Sequence, residues 1–94
     1  MNPVAMLRER KIAIPGRYGV DRIGVFGSFV RHEEKQTSDV DILVEFSRDR
    51  KTFDHYMSLK YFLQDLCGRG VDLVTGQALK PRLKEHILRG VVYA

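Results

Sequence analysis

The stretch SDVDILVEF, residues 38–46, alternates in a way that sets the architecture. Side chains on a strand point to opposite faces in turn, so Val40, Ile42, Val44 and Phe46 share one apolar face that must lie against helices. Asp39, Asp41, Leu43 and Glu45 share the other. A buried strand should exclude carboxylates, yet Asp39 and Asp41 project side by side, with α-carbons ~6.6 Å apart at a rise of ~3.3 Å per residue. Two carboxylates leaning together repel unless a cation lies between them. Hard cations such as Mg²⁺ take oxygen ligands at ~2.1 Å, which paired carboxylates, phosphate oxygens and waters supply. The competing reading is an edge strand with one solvated face.

Working outward, the chain alternates helix and strand. Residues 3–11 read as a short helix with Pro3 in its first turn, and Pro15-Gly16 stops any continuation. RIGVFG (22–27) is a β-branched and aromatic strand closed by glycine. A helical turn over 28–34, the polar loop KQTS (35–38), the strand 39–46 and a charged turn SRDRK (47–51) follow. Residues 53–67 form a helix with Tyr56, Leu59, Leu63 and Leu66 at helical spacing and Gly68 as its stop. Residues 71–75 are a third strand. Residues 78–89 are a last helix, with Pro81 near its start, Leu83 and Ile87 on one face, and Gly90 after it. No repeat, low-complexity tract or linker interrupts this order. The expectation is one α/β domain over residues 1–94, a small mixed sheet of three to four strands flanked by helices.

Composition narrows the function classes. A chain of 94 residues buries roughly 60–65% of its unfolded surface, enough for a single core. Hydrophobic content of 44% and charged content of 30% exclude a disordered tail. No apolar run approaches the ~20 residues of a membrane span, and the N-terminus lacks a signal-peptide core. The single Cys67 can form neither an internal disulfide nor a cysteine-based metal site, so a reducing cytoplasm is expected. The net charge of +4 comes from residues scattered from Arg8 to Arg89, without interleaved aromatics. It does not point to nucleic acid, and could as well attract nucleotide phosphates or an acidic partner.

The third strand strengthens the metal reading. VDLV (71–74) places Asp72 alone in an apolar run. If that strand neighbours the second, Asp72 completes a three-carboxylate cluster whose repulsion would cost stability without a metal. Such a cluster suits two divalent ions ~3.5–4 Å apart, the arrangement that displaces a leaving group at phosphorus. Gly27 and Ser28 lie between a strand and a helical turn, where backbone N–H groups attract phosphate and glycine permits close approach. Arg31 lies on the same side and could reach phosphate or pair with Glu33. Glu33 is read as support for the loop, Glu34 and Glu45 as solvated.

GSFVR, SDVDILVEF and VDLV, in this order and spacing, resemble the minimal nucleotidyltransferases of the DNA-polymerase-beta-like superfamily. YGVDRIGVFGS and ALKPRLKEHILRGVVYA extend the similarity over nearly the whole chain. The resemblance implies a polymerase-beta-like palm fold and a Mg²⁺-dependent enzyme with two ions and ATP as substrate. Asp39 and Asp41 would bind both metals. Asp72 would ligate the catalytic one and help deprotonate the attacking hydroxyl, while Gly27 and Ser28, joined by Arg31, would hold the nucleotide. The implied reaction is in-line attack of a hydroxyl on the α-phosphorus of a nucleoside triphosphate. Pro15-Gly16 interrupts a segment that is usually more helical in the family. The family also often has glycine where this chain has His32, which is read as an exposed histidine.

Minimal members resemble the antitoxin half of systems whose toxin is a HEPN ribonuclease. The resemblance therefore implies transfer of AMP to a tyrosine of a cognate HEPN protein. The alternative is a binding module that masks its partner with the basic last helix (Lys80, Arg82, Lys84, Arg89 around Leu83 and Ile87) and the tail Val91, Val92, Tyr93. His55, His86 and Cys67 read as surface or packing residues, and Tyr56, Tyr61 and Phe62 as core. Nucleobase preference and self-association, a homo-oligomer included, stay open.

Overall fold

The computed structural model describes residues 2–10, 19–33, 35, 38–47 and 52–94, Gln77 by its backbone only. The expected break at Pro15-Gly16, the helix ends at Lys11 and Glu34, loop residues 36–37 and residues 48–51 of the charged turn lie outside the described residues. The order is α1 (Pro3–Glu9), β1 (Val20–Phe26), α2 (Ser28–Arg31), β2 (Val40–Phe46), α3 (Phe53–Cys67), β3 (Val71–Thr75), a 3₁₀ turn (Gly76–Ala78), α4 (Pro81–Gly90) and β4 (Val92–Tyr93). The strands form one mixed sheet in the order β3-β2-β1-β4. β1 runs antiparallel to β2 and β4, and β2 runs parallel to β3. Among the described residues no helix is long and apolar enough to cross a membrane.

Local chemistry sets the helix ends. The Asn2 side chain accepts from the Ala5 N–H at 3.2 Å, and Thr52 Oγ1 accepts from the His55 N–H at 3.1 Å, each satisfying an orphan first-turn donor. Gly68 closes α3 at φ 68°, the left-handed conformation that glycine adopts without Cβ strain. The last helix starts at Pro81, not at residue 78. Lys80, which precedes the proline, is extended at φ −65°, ψ 147°, since a residue before proline is disfavoured in the α conformation.

The core lies on the face of β2 that its alternation marks. Val40, Ile42, Val44 and Phe46 pack with Leu7 of α1, Phe29 of α2, and Leu59 and Leu63 of α3. An irregularity between Val20 and Arg22 shifts the β1 register, so that Val20 joins Ile23 and Val25 in the core despite its different parity. Tyr56 reaches from α3 to donate its hydroxyl to the Leu73 carbonyl at 2.5 Å. Tyr61, expected in the core, is exposed on α3 instead.

The C-terminal tail is the fourth strand. Gly24 pairs with Tyr93 and Val25 with Val92. The Ala94 N–H donates to the Ile23 carbonyl at 2.9 Å, the Arg8 guanidinium donates to the Tyr93 carbonyl at 3.3 Å, and the Arg22 guanidinium lies 4.4 Å from the centre of the Tyr93 ring. A Cβ at Gly24 would stand 2.7 Å from Val91 Cγ2 and 2.9 Å from the Val92 carbonyl oxygen, so the tail crosses where β1 has no side chain. Gly24→Ala is therefore expected to lower stability by about 1–3 kcal/mol, the usual penalty of overpacking. Urea unfolding checks this, and an unchanged midpoint would show that the tail is only loosely held.

Candidate active site

Parallel pairing of β2 and β3 sets Asp41 directly opposite Asp72, with Val40 opposite Val71. Residues in register on neighbouring strands carry their side chains to one face, which brings these two carboxylates together. Asp39 immediately precedes β2 and its side chain is exposed, as is that of Asp72, whereas Asp41 is half-buried. Burial, then the charges of Asp72 and Asp39, raise the Asp41 pKa above the ordinary carboxylate value, and Arg31 partly offsets them.

Two glycines fit against this cluster. A Cβ at Gly27 would collide with the Asp41 carboxylate, and a Cβ at Gly70 would collide with that of Asp39. Gly27 also holds φ 77°, ψ −146° as the N-cap of α2 and has no side chain to cap it. Its carbonyl accepts from the Val30 and Arg31 N–H groups at 3.2 and 3.1 Å. The Asp41 and Asp39 carboxylates thus lie toward different backbone segments. Among the described residues no three ligating side chains converge into a cage as they stand. The donor set nevertheless suits a hard divalent cation: only carboxylate oxygens, on β2, on β3 and on the residue entering β2, with a repulsion that Arg31 offsets only in part and a cation would relieve.

The surroundings add residues that the sequence reading gave no part in the site. Arg69 Nη1 donates to the carbonyls of Lys35 and Ser38 at 3.3 and 3.2 Å, and its guanidinium lies 5.0 Å from the centre of the Phe29 ring. It therefore ties the loop entering β2 to α2 and to the turn before β3. The Lys35 N–H donates to Ser38 Oγ at 2.8 Å, closing the same loop. Arg31 Nε donates to Glu33 Oε2 at 3.2 Å, the pairing that their spacing allowed. Glu45 is not simply solvated, since its carboxylate lies 3.8 Å from the Arg22 guanidinium with only 23% of the side chain exposed. His32 is exposed, as expected, and sits at φ 58°, ψ 37°. That left-handed conformation is the physical reason a glycine suits the position.

A cleft of ≈ 650 Å³ opens beside Asp41, with Gly27, Val30 and Arg31 on one side and Leu83, His86, Ile87 and Arg89 of α4 on the other. The sequence pattern offers Leu83, Ile87 and Arg89 as a docking face only in the alternative reading, and His86 as a surface or packing residue. A helix's face is legible in its periodicity, but what that face looks onto depends on tertiary placement.

A mixed sheet with aspartates paired across parallel strands, beside a Gly-Ser turn, is the architecture of a nucleotidyltransferase. Residues 9–94 match the family model described as Nucleotidyltransferase domain. The chain belongs to that family, is an enzyme of that class, and within it is a minimal nucleotidyltransferase. It is similar to MntA of Thermococcus cleftensis, a protein adenylyltransferase, with 43% identity over 89 residues, 95% of this chain and 89% of that one. A solved structure of a candidate minimal nucleotidyltransferase superposes with a TM-score of 0.79 at 39% identity, covering 98% of this chain and 95% of that one. The fold also matches the Shewanella oneidensis complex of a tri-AMPylated HEPN toxin with its MNT antitoxin, with a TM-score of 0.66 at 19% identity, covering 95% of this chain and 69% of that one.

Two predictions follow from this geometry. A carboxyl whose pKa is higher folded than unfolded destabilises the fold once the pH exceeds the unfolded value, because the folded state then binds more protons. Asp41→Asn is therefore expected to raise the Tm of the metal-free protein at neutral pH, with the gain fading as the pH falls toward the reference value of 3.8. A variant that melts lower throughout would contradict the repulsion. Arg69→Ala should speed amide hydrogen exchange at Lys35, Ser38 and Val40 while leaving exchange in α3 unchanged, and unchanged protection at those amides would remove Arg69 as the loop's clamp.

Proposed function

We propose that this chain transfers AMP from ATP to a tyrosine hydroxyl of a cognate HEPN-domain protein in the cytoplasm, silencing that protein as an antitoxin does its toxin. Residues 1–94 act as one catalytic domain in this reading. The observation that carries it is the Asp41–Asp72 pairing beside Gly27, in a chain 43% identical to a protein adenylyltransferase. The HEPN partner is suggested by the likeness to a complex of that composition, a fold-level similarity.

The chain's residues divide the work. Gly27 lets the triphosphate approach the backbone, the Ser28 hydroxyl donates to it, and Arg31 exchanges Glu33 for a phosphate oxygen. Asp39, Asp41 and Asp72 hold two Mg²⁺ ions, which when bound neutralise phosphate charge and acidify the attacking hydroxyl. Asp72 accepts the hydroxyl proton as the tyrosine oxygen attacks the α-phosphorus. A new O–P bond forms, the bond from the α-phosphorus to its bridging oxygen breaks, and pyrophosphate leaves in line. Catalysis comes from positioning and charge stabilisation, since little covalent chemistry falls to the protein.

The test is to incubate the chain with α-labelled ATP, Mg²⁺ and the product of the neighbouring gene, and to map any label by mass spectrometry. Label is expected on a partner tyrosine. Losing groups that merely orient ligands costs about 10–100-fold, so Asp39→Ala or Asp41→Ala should cost more than roughly 100-fold. Mg²⁺ should also raise the Tm of the wild type but not of Asp41→Asn. An unlabelled partner, or label undiminished by both substitutions, would refute transfer. Neutralisation that survives loss of all three aspartates would instead establish masking.

A further inference from the structure

The register that sets Asp41 against Asp72 and Val40 against Val71, carried one step back, sets Asp39 against Gly70. The Val40 N–H donates to the Gly70 carbonyl at 3.0 Å, so the two backbones are bonded together where Asp39 leaves its loop. Gly70 is exposed and holds no positive φ, so its backbone conformation does not call for glycine. A Cβ there would collide with the Asp39 carboxylate, whose Cγ would stand only 3.1 Å away, and the three atoms nearest to it all belong to Asp39. The missing side chain thus leaves the space that Asp39 fills. Gly68, two residues earlier, is the contrast: it holds φ 68° with nothing within 4 Å of its Cβ position, and serves as the helix stop. Between the two glycines, Arg69 Nη1 donates to the carbonyls of Lys35 and Ser38, and Ser38 is the residue before Asp39.

We propose that Arg69 and Gly70 are positioning residues for Asp39. Arg69 holds the backbone of the loop that carries it, and Gly70 gives its carboxylate the room it occupies at the end of the aspartate cluster. The inference rests on the reading above that Asp39, Asp41 and Asp72 hold divalent cations. Asp41 and Asp72 lie within strands and are fixed by the sheet, whereas Asp39 is exposed and precedes β2. It therefore needs something other than the ladder to set its direction. Residues 68–70 also lead directly into β3, so one short turn orients Asp39 and delivers Asp72. A small hard cation demands its oxygens at ~2.0–2.1 Å in near-ideal geometry, which a carboxylate on an untethered loop meets poorly. The collision at Gly70 is with the end of a side chain and not with backbone. Gly70→Ala therefore turns the Asp39 carboxylate aside and leaves the strands in register.

The probe is Mn²⁺, titrated into the protein and followed by electron paramagnetic resonance. Gly70→Ala and Arg69→Ala are each expected to weaken Mn²⁺ by about 10–100-fold, the scale seen when groups that orient metal ligands are lost. The Tm of metal-free Gly70→Ala should stay at or above that of the wild type, as for alanine replacing a glycine whose conformation it can adopt. In the transfer reaction, Gly70→Ala should raise the Mg²⁺ concentration for half-maximal rate and keep kcat at saturating Mg²⁺, a split that general damage to the fold would not give. In an Asp39→Ala background neither substitution should weaken Mn²⁺ further, since both act through that carboxylate. Losses that add in that background would overturn the proposal, as would unchanged Mn²⁺ binding in either single variant. Asp39→Ala alone is the control for the underlying reading. If it leaves Mn²⁺ at the wild-type affinity, the metal assignment of Asp39 fails and the positioning role with it. If it weakens Mn²⁺ while Gly70→Ala does not, the positioning role alone fails. A wild type that binds no Mn²⁺ overturns both.

Discussion

The site depends on the parallel pairing of β2 with β3. Strands in a sheet lie ~4.7–4.9 Å apart, so residues in register bring their side chains close together, and here that means Asp41 against Asp72. Two carboxylates brought together repel, and this adds to burial in raising the Asp41 pKa. The strands cannot slip to relieve this, because a one-residue shift would turn every side chain to the wrong face. Val40, Ile42, Val44, Val71 and Leu73 are buried on the other side of the same pairing, each contributing about 1.5–3 kcal/mol. The core holds Asp41 beside Asp72 despite this repulsion, which a cation between them would relieve.

The second constraint is the attachment of α4 at both ends. It follows β3 at one edge of the sheet and leads into β4 at the other. β4 is short, but its two backbone pairs are reinforced by Arg8, Arg22 and the close crossing over Gly24. A helix tethered in this way must pass across the sheet, and it passes beside Asp41. This explains why a C-terminal segment distant in sequence from the aspartates supplies one wall of their cleft.

How much of this the sequence reveals depends on the range of the interaction. The β2 alternation and the paired Asp39 and Asp41 are local, and a period of two suffices to separate core from site. That Asp72 faces Asp41 is a matter of strand pairing, so an isolated reading of VDLV could only assume it. β4 went unrecognised because two residues carry no periodicity. Their pairing partner is signalled only by Gly24, a small residue in a strand where another chain segment comes close. Arg69 looked like one scattered cation among many, because carbonyl acceptors leave no trace in side-chain patterns. The i, i+4 spacing of Leu83 and Ile87 correctly marks one helix face, but it cannot say that the buried end of that face meets the sheet while the other end borders a cleft.

The electrostatics of the cleft fit a site that exchanges ligands. Asp41 on its floor is half-buried and only partly offset by Arg31, whereas the arginines of the cleft are paired at the surface, Arg31 with Glu33 and Arg89 with Glu85. Exposed pairs of this kind are worth only about 0–1 kcal/mol, so either guanidinium can leave its carboxylate at small cost. A phosphate offers a charge-assisted and often bidentate hydrogen bond in return. The glutamates hold the arginines in place without binding them tightly. Arg31 lowers the Asp41 pKa, so turning its guanidinium toward a phosphate would lessen that help. Under the proposed function, nucleotide and cations are therefore coupled: a phosphate that draws Arg31 away from Asp41 leaves a charge there that a metal ion would offset.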